Sequence, residues 1–209
     1  PMAAHAVGQT STAASDQQKP SQSKQEQQLK EVQVLGQLGS EFKAERAASN
    51  KYAAPLIDTP QTITVIKREL LDQQAAVTLS EALRNTPGVG TFFLGENGST
   101  NTGDAIYMRG FDSSGSIYVD GVRDLGSISR DLFNIEQIDV MKASAGTDSG
   151  RSAPTGSINL SSKQANLDEA QVYSASIGSA QQRRLSSDTN FVLSRENGSA
   201  VRLNLMAQD

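Results

Sequence analysis

Ile117-Tyr118-Val119-Asp120-Gly121-Val122-Arg123 is the stretch on which the reading of this chain turns. Two β-prone runs flank Asp120-Gly121, a pair able to take the positive φ angles of a tight hairpin. Upstream, Thr62-Ile63-Thr64-Val65-Ile66 alternates as a strand does and leads into a helical pattern from Arg68 to Gln74. Thr78-Leu79-Ser80-Glu81 then forms a capping box, with Leu79, Ala82 and Leu83 on one face and Pro87-Gly88 as the stop. Downstream lie a short segment from Asp131 to Asn134, a strand from Ile138 to Lys142 and another from Ser157 to Ser161. Elements this short and mixed predict a small α+β domain over residues 59–165.

Beyond about Ala170 the helical signals stop. Tyr173, Ala175 and Ile177 alternate with Ser174, Ser176 and Gly178, and Phe191 and Leu193 sit among Asn190, Val192 and Ser194. Asn197-Gly198 then turns the chain into Val201-Arg202-Leu203-Asn204-Leu205-Met206-Ala207. One face of that strand is apolar, while the other carries Arg202, Asn204 and Met206, as in a strand between lipid and a polar lumen. Alternation by itself reads first as an ordinary amphipathic strand of a soluble sandwich. About three strands lie between residues 170 and 209, too few to close a barrel, so the chain is expected to be part of a longer one.

Composition narrows the chemistry. The 209 residues are 36% hydrophobic and 5% aromatic, thin for one core that uses every residue, so part of the chain is expected to be unstructured. There is no cysteine and a single histidine, His5, which leaves no residues for a Ser-His-Asp triad, a thiolate nucleophile or the usual zinc sites. The Gly-rich run from Gly146 to Gly156 lacks the Gly-Lys-Ser/Thr end of a phosphate loop. A net charge of -4 argues against nucleic acid as a partner. No run approaches the roughly 18 apolar residues of a membrane helix, so a membrane could be crossed only by strands.

Ala4-His5-Ala6 fits the small-x-small end of an export signal, and an Ala-rich terminus without meaning fits equally well; residues 1–6 are read as a processing remnant. From Val7 to Gln28 the chain is rich in Gln, Ser, Lys and Thr without an aromatic residue, a composition unable to offset the entropy of ordering. Residues 7–58 are therefore read as a flexible tail. Within it Glu31-Val32-Gln33-Val34-Leu35-Gly36 is a lone β-prone segment, suited to adding as a strand to a partner's sheet edge.

Asp58-Thr59-Pro60-Gln61-Thr62-Ile63-Thr64-Val65-Ile66 resembles the plug opening of TonB-dependent siderophore receptors. The likeness continues in order through Leu79 to Leu83, Pro87-Gly88-Val89, Met108-Arg109-Gly110 and the central hairpin. It runs on through Ile135 to Lys142 and Gly150-Arg151-Ser152-Ala153-Pro154-Thr155-Gly156-Ser157-Ile158-Asn159. Phe92-Phe93-Leu94-Gly95-Glu96-Asn97-Gly98 and Ser127-Ile128-Ser129-Arg130-Asp131 are closest to the catecholate receptors of the Fiu and Piu type. The chain departs from the family at Lys142-Ala143-Ser144, where Lys-Gly-Pro is usual, and at Ser149-Gly150, where Tyr-Gly is usual.

The resemblance implies a barrel of about 22 strands filled by a plug, of which residues 170–209 would be the first strands. It implies a protein of the bacterial outer membrane with its N-terminal tail in the periplasm, not an enzyme, with no resident cofactor or metal. A ferric siderophore would be the transported ligand. Residues 31–36 resemble the TonB box, so Glu31, Val32, Gln33, Val34 and Leu35 would pair with TonB, and lipid would surround the barrel. Loops between plug strands would face outward, where Phe93 would meet catechol rings, Asn97 would hydrogen-bond oxygens and Arg130 would offset an anionic cargo, with Phe92 read as core. The bland alternatives are a turn at Asn97-Gly98 and a pairing of Arg130 with Asp131 or with barrel carboxylates. Arg109, Asp120, Arg123, Glu136, Lys142 and Arg151 would pair with the barrel wall. Rival readings are a receptor for a hydroxamate siderophore, cobalamin or a glycan, or a soluble periplasmic binding or adhesion module.

Overall fold

The structure is a computed structural model that describes residues 42–49, 51–100, 102–142 and 155–209. The export remnant, residues 31–36 with Glu31, Val32, Gln33, Val34 and Leu35, and Arg151 lie outside the described residues.

The α+β domain is organised around β7 (Ile135–Met141), the longest of its strands. Ile138 and Val140 put one face of β7 into the core, and Asp139 and Met141 are buried on the other. β1 (Ile63–Lys67) runs antiparallel to β7, with Ile66 opposite Ile138, and β8 (Ser157–Ser162) lies antiparallel on its other side. β5 (Ile117–Val119) adds parallel to β8, and β6 (Val122–Arg123) closes the sheet through the hairpin. The five-stranded order is thus β1-β7-β8-β5-β6. As the sequence predicted, Asp120 and Gly121 both take positive φ, 49° and 81°, the twist a two-residue hairpin turn requires.

α1 (Arg68–Gln73) and α2 (Leu79–Leu83) pack on the sheet through Leu71, Leu79 and Leu83, which join Ile117, Ile138 and Leu160 in one core. The capping box forms as read. Thr78 Oγ1 accepts from the Glu81 amide, and the Glu81 carboxylate accepts from the amides of Val77 and Thr78 at 2.8 and 3.1 Å. Two orphan donors at the helix start are thereby satisfied.

A second sheet, β2 (Val89–Phe92), β3 (Ala105–Met108) and β4 (Phe111–Asp112), follows α2. Its strands are two to four residues long, too short for alternation to reveal them in the sequence.

The tail reaches less far than residue 58. Ala47 is buried, the Ala48 amide donates to Asp139 at 2.9 Å, and the Leu56 amide donates to the Glu45 carbonyl at 2.8 Å. This stretch docks largely through backbone groups, which leave no hydrophobic pattern to read.

β9 (Ala170–Ile177), β10 (Arg183–Ser194) and β11 (Ser199–Gln208) form a separate antiparallel sheet. Register places Tyr173, Leu185, Phe191, Val201, Leu203 and Leu205 on one face, all well exposed. Arg184, Asp188, Asn190 and Arg202 occupy the opposite face, which meets the α+β domain through Arg184, Asp188 and Arg202.

Candidate functional site

The sequence-predicted contact residues fall on two loops of the α+β domain. The loop after β2 begins with Phe93, which is 46% exposed and lies under the Arg84 guanidinium, 5.7 Å from ring centroid to cation. Its amide donates to the Glu96 carboxylate at 2.9 Å, and Gly95 at φ 86° turns the chain into a single helical turn, Glu96–Gly98. Asn97 has its backbone in that turn, and its side chain lies outside the described residues. Phe92 is half-buried rather than central to the core, edge-on to Tyr107 at 5.3 Å.

Arg130 is placed differently from the expectation. Only 6% exposed, it cannot present its guanidinium to a cargo at the surface. Nε donates to Asp124 at 2.8 Å, Nη1 to Asp104 at 3.2 Å, and the remaining donors reach the carbonyls of Asp124, Gly126 and Ile128. The preceding loop is thus wrapped around its own arginine. The Arg130 amide also donates to Asp104, whose other oxygen accepts from the Ser80 hydroxyl at 3.0 Å. The pairing of Arg130 with Asp131 is likewise replaced: Asp131 takes a bidentate fork from Arg184 of β10 at 2.6 and 2.7 Å.

Ion pairs and hydrogen bonds join the domain to the strands. Arg202 holds Asp188 on its own sheet at 2.8 Å and reaches Glu136 of β7 at 3.3 Å. Lys163 meets Asp188 at 2.7 Å, and Arg202 donates to the Gln164 carbonyl. Buried Asn190 exchanges hydrogen bonds with Asn166 and donates to the Asp168 carbonyl, fastening the linker to β10. Glu136 thus meets the wall as expected. The Asp120 carboxylate accepts from the Ser162 amide and hydroxyl, locking the hairpin to β8. Arg123 donates to the Gly115 carbonyl at 2.7 Å.

On the face of β7 away from the helices, Asp139 accepts from the Ala48 amide and from Gln137, whose side chain also donates to the Arg46 carbonyl. Burial pushes the Asp139 carboxyl above the ordinary aspartate range, against the opposing pull of the hydrogen bonds from Gln137 and from the Ala48 and Ser49 amides. Burial lowers the Lys142 ammonium, and the nearby Arg109 charge adds to the effect. Among the described residues no three His, Cys, Asp or Glu side chains are grouped to hold a metal.

An α+β domain seated on the polar face of antiparallel strands, whose other face is apolar and exposed, is the arrangement of a plug against the wall of a membrane β-barrel. The α+β domain is a plug domain of the TonB-dependent receptor type: residues 55–157 match the TonB-dependent Receptor Plug Domain family. It is 53% identical over 167 residues to the catecholate siderophore receptor Fiu of Escherichia coli K12, covering 80% of this chain and 22% of that protein. The closed form of the ferric-catecholate import receptor Fiu superposes with a TM-score of 0.73 over 80% of this chain and 23% of that one. The siderophore receptor PiuA of Acinetobacter baumannii, 36% identical, superposes with a TM-score of 0.71 over 80% of this chain and 23% of that one. The chain therefore spans about a fifth of the length of the relatives it matches.

Proposed function

We propose that this chain forms the plug and first wall strands of an outer-membrane receptor that imports a ferric siderophore, of the catecholate class, with energy supplied through TonB. The observation that carries the reading is the plug seated by ion pairs on the polar face of strands whose outer face is apolar. Polar contacts of this kind can be exchanged for water when the plug moves, whereas an apolar interface would resist separation. The relatives named above are receptors, and no covalent step is invoked for this chain. Phe93 is the exposed aromatic face offered to catechol rings, with Asn97 beside it on the same loop. Lipid packs against Tyr173, Leu185, Leu203 and Leu205. Residues 31–36 pair as a strand with TonB, and a pull on them travels into the plug.

Uptake of iron-labelled siderophores by iron-starved cells carrying the full-length receptor tests this. Catecholate uptake is expected and Val34→Pro should abolish it, because proline removes a backbone donor and obstructs strand pairing. Uptake of a hydroxamate instead would reassign the cargo. Uptake indifferent to Val34→Pro would remove residues 31–36 from the coupling.

A further inference from the structure

Two loops of the plug are tied together at one place. Asp104 closes the loop after β2, and its carboxylate collects the Ser80 hydroxyl, the Arg130 amide and the Arg130 guanidinium. Its own amide donates to the Ile128 carbonyl at 3.0 Å, on the loop that precedes β7. One residue earlier, Gly103 lies so close to Ser127 and Ile128 that a Cβ there would stand 2.7 Å from the Ile128 oxygen and still nearer to the Ile128 nitrogen. Arg130 completes the tie by holding the carbonyls of Asp124, Gly126 and Ile128 around one guanidinium. The joined loops expose the apolar side chains Phe93 and Leu94 on the first and Leu125 and Ile128 on the second, among polar neighbours that include Glu96, Ser127 and Ser129.

We propose that Arg130, Asp104 and Gly103 are positioning residues, which hold the two loops as one surface that meets cargo through aromatic and aliphatic faces. Arg130 acts through the shape of its loop and not through its charge on the cargo. This rests on the siderophore reading for the identity of the cargo, but the tie between the loops stands apart from it. A guanidinium with five donors in a rigid fork satisfies several carbonyls and two carboxylates at once, which the three donors of an ammonium cannot reproduce.

The test uses the full-length receptor, purified folded, as wild type and as Arg130→Lys, Arg130→Gln and Gly103→Ala. Binding of an iron(III) tris-catecholate is measured beside amide hydrogen exchange of both loops. Arg130→Lys and Arg130→Gln are expected to weaken binding alike, by about tenfold or more, as loss of charge-assisted hydrogen bonds allows. Gly103→Ala, which leaves every charge in place, should weaken binding too, and all three should speed exchange in both loops. Wild-type binding by Arg130→Lys alongside weak binding by Arg130→Gln would overturn the proposal in favour of direct charge on the cargo. Unchanged exchange in Gly103→Ala would show that the loops are not tied. A wild-type receptor that fails to bind the tris-catecholate would overturn the cargo assignment, while the exchange data would still decide the tie.

Discussion

Asp139 shows what burial does to a single group in this plug. A carboxylate under residues 46–49, on a central strand, loses hydration that its three donors only partly restore, so it holds its proton to a higher pH than in the unfolded chain. Between the unfolded value of 3.8 and the raised folded value, the native state binds more protons than the unfolded one. Stability from Asp139 is therefore fully present below the unfolded value and is lost as pH rises through the folded value. Asp139→Asn, which cannot ionise, should flatten this slope. Hydrogen-exchange protection of the β7 amides, corrected for intrinsic rates, measures it from acid to neutral pH, and an unchanged slope would show that Asp139 does not carry it. In the sequence Asp139 is merely a charged residue between Ile138 and Val140, and Arg130 one between Ser129 and Asp131. That Asp139 is covered by backbone depends on a segment 91 positions away, and that Arg130 is encircled by its own loop depends on how the loop folds back on Asp104, 26 positions away.

Among the elements, legibility followed the range of the forces involved. The hairpin at Asp120-Gly121 and the capping box at Thr78-Glu81 were readable because each is settled by residues within four positions of one another. β8 is different, since its start depends on a neighbour. Gly156 has φ 133°, and a Cβ there would lie inside contact distance of the Met141 carbonyl oxygen on β7 and 2.6 Å from Met108 Cε on β3. Gly156→Ala is expected to destabilise the plug by about 2–5 kcal/mol, from backbone strain and overpacking together. Urea unfolding of the plug in the full-length receptor would record it, and a change below about 0.5 kcal/mol, ordinary for a surface site, would refute the close packing. The short strands β2, β3 and β4 were not readable, because they are defined by pairing with each other and not by a pattern of their own.

Across the whole molecule the plug and wall are joined by paired charges that come from distant parts of the chain. The Arg184 fork on Asp131 is partly buried and bidentate, geometry that gives more than an exposed pair. In a double-mutant cycle, Asp131→Asn and Arg184→Gln should each loosen the plug, and together they should cost less than their sum by about 1–3 kcal/mol. Plug protection in hydrogen exchange reads the cycle, and strict additivity would show that the pair is not coupled. Glu136, expected from the sequence to meet the wall, does so through Arg202. Asp120 bonds Ser162 within the plug, a contact that the sequence did not reveal.

The amino-acid sequence by itself determined the α+β domain, its central hairpin, the change to amphipathic strands after residue 170 and the family likeness. All of these rest on local periodicity, turn chemistry or ordered motifs along one chain. Only the tertiary structure decided that residues 42–58 dock on the plug, that Arg130 is a loop-shaping residue, and that Asp131 faces Arg184. Each of those outcomes depends on which donor reaches a given acceptor once both have left water. Burial and partner geometry set that choice, and neither is encoded by the identity of a charged residue or of its neighbours in sequence.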